Sequence, residues 1–296
     1  MKAEPFYVDG STKMFGGFNR DFSGSEFVLI GVPFDGTSSY RPGSRFAPNA
    51  IREASSNIET WSWRTGIDLE EVKIHDLGDL AVVHGDASET IRRVGETVED
   101  IVSAKKLPIV VGGEHLISLG VSKAIKDVTI ISFDAHFDLR EEYLSNKLSH
   151  ACVMRRISEQ GGQGKIIFCG VRATYRDEVN FVKEKRIPYL SALDVLRNDV
   201  HQTSSWLRKN LEGARRVYIS IDADVLDPAY APGIGNPEPE GISPTHLLDL
   251  LNNVIDDRVV GFDLVEVSPP YDNGNTAALA SKIIFEVSSM IKRARG

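Results

Sequence analysis

Short apolar runs recur along the chain and alternate with amphipathic stretches. Runs at 27–32, 107–111, 128–133, 165–169, 217–221 and 259–264 predict strands. Segments such as VTIISF and VYISI are apolar at almost every position and rich in β-branched and aromatic residues, as strands covered on both faces require. Between them, 88–104 spaces Ile91, Val94, Val98, Ile101 and Val102 three or four apart, which predicts a helix. Further helices are expected at 178–185, 201–211, 245–253 and 277–291. This alternation predicts an α/β fold, a mostly parallel central sheet with helices on both faces. No linker, low-complexity segment or repeat interrupts it, so a single domain over 1–296 is expected.

Ligands of such sheets bind beyond the carboxyl ends of the strands, so the residues following each run carry the chemistry. Gly112-Gly113-Glu114-His115 follows the second run, and Asp134-Ala135-His136-Phe137-Asp138 the third. Asp222-Ala223-Asp224 follows the fifth, and Glu266 follows the sixth. Spacing by two on an extended backbone would turn Asp134, His136 and Asp138 to one side, and Asp222 and Asp224 likewise. A lone Asp-x-Asp is usually a turn or helix cap, and a lone histidine after Gly-Gly an ordinary loop residue. Four carboxylates and two imidazoles at one sheet edge are a different matter. Left bare, the acids would repel and their pKa values would rise, whereas two divalent cations would neutralise them. An oxygen-rich set with a minority of imidazoles suits manganese, and two such ions sharing a water make a nucleophile near neutral pH. Metal-assisted hydrolysis is the reaction class implied.

Charge and cysteine content narrow the alternatives. The 34 Lys and Arg against 42 Asp and Glu give a net charge of −8, so neither nucleic acid nor an anionic membrane is the expected partner. Two cysteines, Cys152 and Cys169, exclude a disulfide framework and a CxxC site. The first ten residues, MKAEPFYVDG, contain no apolar stretch of signal-peptide type, and no apolar run is long enough to span a bilayer. A cytoplasmic location is expected. Gly161-Gly162-Gln163-Gly164-Lys165 lacks phosphate-loop spacing and reads as a turn. Cys152 reads as a buried thiol, Trp61 and Trp63 as packing or an oligomer contact, and Asp227-Pro228 as a turn.

GGEH at 112–115, DAHFD at 134–138, SHACV at 149–153 and SIDADVLDPAYAPG at 220–233 resemble the signatures of the ureohydrolases, the arginase and agmatinase family. The likeness continues in GVPFDGTSSYRPGSRFAPNAIREAS (31–55) and GFDLVEVSPPYD (261–272), and so covers the chain from about Phe27 to Ile291. It implies a three-layer α/β/α fold and a binuclear manganese centre with a bridging water or hydroxide. By this resemblance His115, Asp134, Asp138 and Asp222 hold one ion. His136, Asp134, Asp222 and Asp224 hold the other, with Asp134 and Asp222 bridging. Asp138, His150 and Glu266 are the implied catalytic residues. Glu266 holds the guanidinium, Asp138 passes the proton of the attacking hydroxide to the departing nitrogen, and His150 relays protons to or from solvent. Trimers or hexamers are the family's assemblies, so a homo-oligomer is expected.

The segment after DAHFD lacks the Asn-, Thr-, Ser- and Gly-rich run with which arginases recognise an α-carboxylate. SYRPGSRFAP, GGEHL and LSHA look more like agmatinases, and Glu141 and Glu142 suit a cationic amine, although Arg140 points the other way. A small cationic guanidino compound is therefore the expected substrate, with agmatine cleaved to putrescine and urea. N1-aminopropylagmatine is the alternative, followed by arginine, guanidinobutyrate and formimidoylglutamate. A non-catalytic metal-binding protein on the same fold would have lost ligands, and a deacetylase of related fold would lack half the set. All six ligand positions are filled here.

Overall fold

The computed structural model describes residues 8–9, 13–18, 20–160 and 165–296. Its strands are β1 (Val8–Asp9), β2 (Phe27–Val32), β3 (Ile74–Leu80), β4 (Leu107–Gly112), β5 (Thr129–Phe133), β6 (Ile166–Val171), β7 (Tyr189–Ser191), β8 (Val217–Asp222) and β9 (Val259–Val265). They form one sheet in the order β1-β3-β2-β4-β9-β8-β5-β6-β7. Every pairing is parallel except the two-residue β1 against β3.

Because side chains alternate across a strand, each strand feeds two cores. Phe27 and Leu29 of β2 enter one, with Ile131 and Phe133 of β5 and Ile219 and Ile221 of β8. Val28, Ile30 and Val32 enter the other, with Ile130 and Tyr218. Helices α1 (Ala47–Ser55), α7 (Val200–Asn210), α8 (Pro244–Val254) and α9 (Asn275–Arg295) close the first core. Helices α2 (Ala87–Ser103), α3 (Ser118–Ala124), α4 (Val153–Ser158) and α5 (Arg176–Lys185) close the second, while short α6 (Ala192–Arg197) sends Val195 into the first. The result is the expected three-layer α/β/α sandwich around a mostly parallel sheet.

The six expected strands and five expected helices are all present, with ends moved by no more than a few residues. Strands β1, β3 and β7 and helices α1, α3, α4 and α6 are additional. The β3 segment IHDLGDL hides from an apolar pattern because Asp76 and Asp79 interrupt it. The structure explains them: buried Arg52 of α1 donates from Nε to Asp76 Oδ2 (2.8 Å) and from Nη2 to Asp76 Oδ1 (2.9 Å), and pairs through Nη1 with Asp79. The segment read as lacking a signal peptide (1–10) and the Gly-rich turn (161–165) lie mostly outside the described residues. Among the described residues no helix is long and apolar enough to cross a membrane.

Candidate metal centre

Strands β4, β9, β8 and β5 are consecutive neighbours in the middle of the sheet, so their carboxyl ends form one continuous edge. His115, Glu266, Asp222 with Asp224, and the 134–138 segment leave that edge in the same order. The sheet order, which links residues up to 151 positions apart, is what assembles them.

Local backbone then aims each group, and it is not extended as the spacing implied. His115 opens a 3₁₀ turn (His115–Ile117), Asp222 caps another (Ala223–Val225), and 134–138 is irregular. Asp138 and Glu266 have φ of 51° and 64°, the left-handed region that costs a residue with a Cβ roughly 1–2 kcal/mol. Such strain gathers at sites where position matters more than stability. Gly113 is needed for a different reason: a Cβ there would lie 1.8 Å from the Phe34 carbonyl oxygen. That close approach lets Gly113 O accept from Glu266 N–H (2.8 Å) and Glu114 N–H donate to Phe34 O (2.8 Å).

His115 Nδ1 faces Asp138 Oδ2 at 3.1 Å, Asp134 Oδ2 at 3.2 Å and Asp222 Oδ2 at 3.3 Å. His136 Nδ1 lies 2.9 Å from Asp224 Oδ2 and 3.8 Å from Asp134 Oδ1. Asp134 thus turns one oxygen to each imidazole. All of these side chains are buried apart from His136, which is 27% exposed. His115 Nδ1 and Asp134 Oδ2 are buried without any hydrogen-bond partner. Buried polar atoms are rarely left so, and two orphans on facing ligands fit a cation between them. The far sides of the ligands are braced: His115 Nε2 meets Ser220 Oγ (3.0 Å), which donates to Asp263 Oδ1 (2.6 Å).

The electrostatics carry the same deficit. Burial and the neighbouring Asp224 and Asp138 charges push Asp134 up to about 7, and burial with Asp224 and Asp134 raises Asp222 well above the usual range. Asp224 goes the other way, to about 2: burial opposes it, but the His136 contact and the Ala135 N–H outweigh that. His115 and His136 are raised because the carboxylates outweigh their own desolvation. Asp134 and Asp222 hold protons more tightly because burial and like charges crowd them, a repulsion that bound cations would relieve.

A cavity of 350 Å³ opens onto the cluster, lined by His136, Asp138 and His150 and, further out, by Arg140, Tyr143 and Glu238. His150 is 7% exposed, and burial lowers its pKa. Glu266 Oε1 accepts from His115 N–H (2.8 Å). Glu141 does not face the cavity. It pairs with Arg155 (2.7 Å) and Lys147 (3.5 Å) on the outer surface, so the suggestion that it suits a substrate amine is not supported. Arg140 stacks between Tyr143 and Tyr175, 4.9 and 5.2 Å from their ring centres. Cys152 is buried with its thiol pushed up to about 11, and Asp227 ties Ala229 N–H and Gly241 N–H, a turn as expected.

Three groups escaped sequence reasoning. Arg172 donates to the carbonyls of Asp224 and Glu238, both at 2.7 Å, and so pins the loop after β8. Asp263 acts through Ser220. Thr37, held by Glu114, meets His150. Glu114 lay inside GGEH and Thr37 inside GVPFDGTSSYRPG, but nothing in either motif pairs them.

The arginase family model matches residues 25–289, so the chain belongs to the arginase family and is a ureohydrolase-class enzyme that acts on C–N bonds of linear amidines. Among curated relatives, it is 38% identical over 275 residues to the N(1)-aminopropylagmatine ureohydrolase of Thermococcus kodakarensis, covering 92% of this chain and 93% of that one. It is 39% identical over 284 residues to the agmatinase of Bacillus anthracis, covering 94% and 96%. The solved agmatine ureohydrolase of Thermoplasma volcanium superposes with a TM-score of 0.88 at 38% identity, over 97% of this chain and 96% of that one.

Proposed function

We propose that this single-domain chain is a cytoplasmic binuclear manganese hydrolase that cleaves agmatine to putrescine and urea. The observation that carries the reading is the convergence of His115, Asp134, Asp138, Asp222, His136 and Asp224 with two buried ligand atoms left orphaned. His115, Asp134, Asp138 and Asp222 would hold one ion, and His136, Asp134, Asp222 and Asp224 the other. When bound, the ions lower the pKa of water and stabilise the charge that develops during attack on the guanidino carbon.

The remaining work belongs to the chain. Glu266, anchored by one oxygen to His115 N–H, offers the other to the guanidinium, whose planar fork suits a carboxylate. Asp138, held at the cavity wall in a left-handed conformation, carries the proton of the attacking water to the departing nitrogen. His150, kept neutral by burial, exchanges protons with solvent through the cavity. Breaking the C–N bond then leaves urea and an amine. Agmatine is favoured because several relatives of this length are agmatinases and because Glu178 and Glu238 line the cavity against a single cation, Arg140. N1-aminopropylagmatine is the second reading, carried by the relative that hydrolyses it. A homo-oligomer is proposed from the same kinship.

Urea release by manganese-loaded protein should be compared for agmatine, N1-aminopropylagmatine, arginine and 4-guanidinobutyrate, and formamide release for formimidoylglutamate. Agmatine should give the highest kcat/KM. Preference for arginine or 4-guanidinobutyrate would overturn the substrate, and no urea from any guanidine would overturn the reaction.

A further inference from the structure

Thr37 lies in the connection that follows β2, and nothing in its motif gives it a role. Its backbone N–H donates to Glu114 Oε2 at 2.7 Å and its hydroxyl donates to Glu114 Oε1 at 2.6 Å. Both oxygens of the buried Glu114 side chain accept from Thr37, and in its ionised form, with no proton to give, Glu114 directs the hydroxyl's only proton toward itself. The hydroxyl oxygen of Thr37 accepts from the backbone N–H of His150 at 2.9 Å and stands 3.3 Å from the ring Nδ1. On the other side of the ring, Ser39 Oγ stands 3.3 Å from Nε2, and Ser39 and His150 both line the cavity.

A hydroxyl whose proton is already committed can act only as an acceptor toward its other neighbours. With Glu114 ionised, a hydrogen shared between Thr37 and His150 belongs to Nδ1, and the neutral ring then leaves Nε2 without one. Which nitrogen of an imidazole takes part in chemistry is set by what its other nitrogen touches. We propose that Thr37, locked by Glu114, is a positioning residue that holds neutral His150 as the Nδ1–H tautomer and presents its bare Nε2 to the substrate cavity.

The inference rests on the reading of His150 as the proton-exchanging group of the site. Among the described residues, the groups around its ring are Thr37 and Ser39 from the β2 connection, Ser149 from its own segment, Asp138 and Tyr143 from the segment after β5, and the charges of His136 and His115. Only the Thr37 hydroxyl is tied to a buried carboxylate, so Thr37 is the residue to change.

Two measurements test it. In manganese-loaded enzyme turning over agmatine, Thr37→Val keeps the shape of the side chain and removes the hydroxyl. It is expected to lower kcat by ~10–100-fold with KM changed by less than about two-fold and manganese content unchanged, as loss of a partner that orients a working histidine does. Thr37→Ser should recover most of the loss. Equal impairment in both variants, or a Thr37→Val enzyme with normal kcat, overturns the proposal. Independently of turnover, ¹⁵N NMR of the full-length protein at alkaline pH, with His150 assigned from the signal lost in His150→Gln, reports which ring nitrogen carries hydrogen. Protonated Nδ1 is expected in the wild type, and protonated Nε2 overturns the assignment. Absence of urea production from every guanidine would strike the proposed function instead and leave the NMR result standing.

Discussion

Asp76 and Asp79 on β3 meet Arg52 of α1, whereas Asp134, Asp138, Asp222 and Asp224 beyond β5 and β8 meet two imidazoles and, among the described residues, form no ion pair with arginine or lysine. In the first cluster each Asp76 oxygen has donors: Oδ1 receives Arg52 and Gly78 N–H, and Oδ2 receives Arg52 and Phe15 N–H. The second leaves His115 Nδ1 and Asp134 Oδ2 with none. One group of acids is balanced inside the fold and joins a helix to a strand. The other is short of positive charge and waits for it from outside. Buried acidity alone therefore says little about function, and the charge left over after the fold has supplied its own partners says much more.

The comparison breaks most easily at the ligands. Asp222→Ala or Asp134→Ala should cut urea release by ~10³-fold, comparable with losing a main electrostatic stabiliser of a transition state, and bound manganese should fall with it. Assays of urea and metal content on the same sample check this, and normal turnover at full occupancy would erase the distinction between the clusters.

Arg52→Met should act on the other side. It strands a buried carboxylate without its cation, at a cost of ~3–5 kcal/mol, read as a lower thermal midpoint. Manganese binding by the fraction that folds should be unchanged. An unaltered midpoint would show that the β3 cluster is not held by its arginine.

The two clusters should also respond differently to chelation and pH. Manganese at a hundred times its Kd should stabilise the protein by ~2.7 kcal/mol. In the metal-free chain Asp134 is raised to about 7 from an unfolded value of about 3.9, so the folded state holds that proton more tightly. Its contribution is complete below about pH 4 and is lost as pH rises through about 7. The raised His115 and His136 act in the same sense, their contribution being lost as pH rises through their folded values. Asp224, lowered to about 2, has the opposite sign, and its contribution is lost as pH falls through that value. The stabilisation given by manganese should therefore grow between pH 4 and 7, where ligand protons must leave. Calorimetry with and without chelator measures it, and a constant increment would contradict the deficit.

The smallest effect is expected at Glu141. Paired with Arg155 outside the cavity, it should tolerate Glu141→Gln with KM for agmatine essentially unchanged. A KM raised several-fold would return it to substrate recognition.

Much of this molecule was legible in the chain. The six central strands are apolar on both faces, so their runs stand out, and the acids and imidazoles that follow them are conspicuous against that background. Elements whose burial depends on a partner were not legible. Strand β3 carries aspartates that make sense only beside Arg52, and α3 and α4 are too short to show a helical period. The metal ligands converge through 3₁₀ turns at strand ends and a left-handed Asp138, not along an extended backbone.

By itself the sequence determined the layer architecture and the identity of the candidate ligands, because apolar periodicity and residue chemistry are local properties. Only the tertiary structure decided that β4, β9, β8 and β5 stand side by side, that Glu141 turns away from the cavity, and that Glu114 holds Thr37 against His150. Those are contacts between residues far apart in the chain, and strand order and loop packing, which no local pattern encodes, set them.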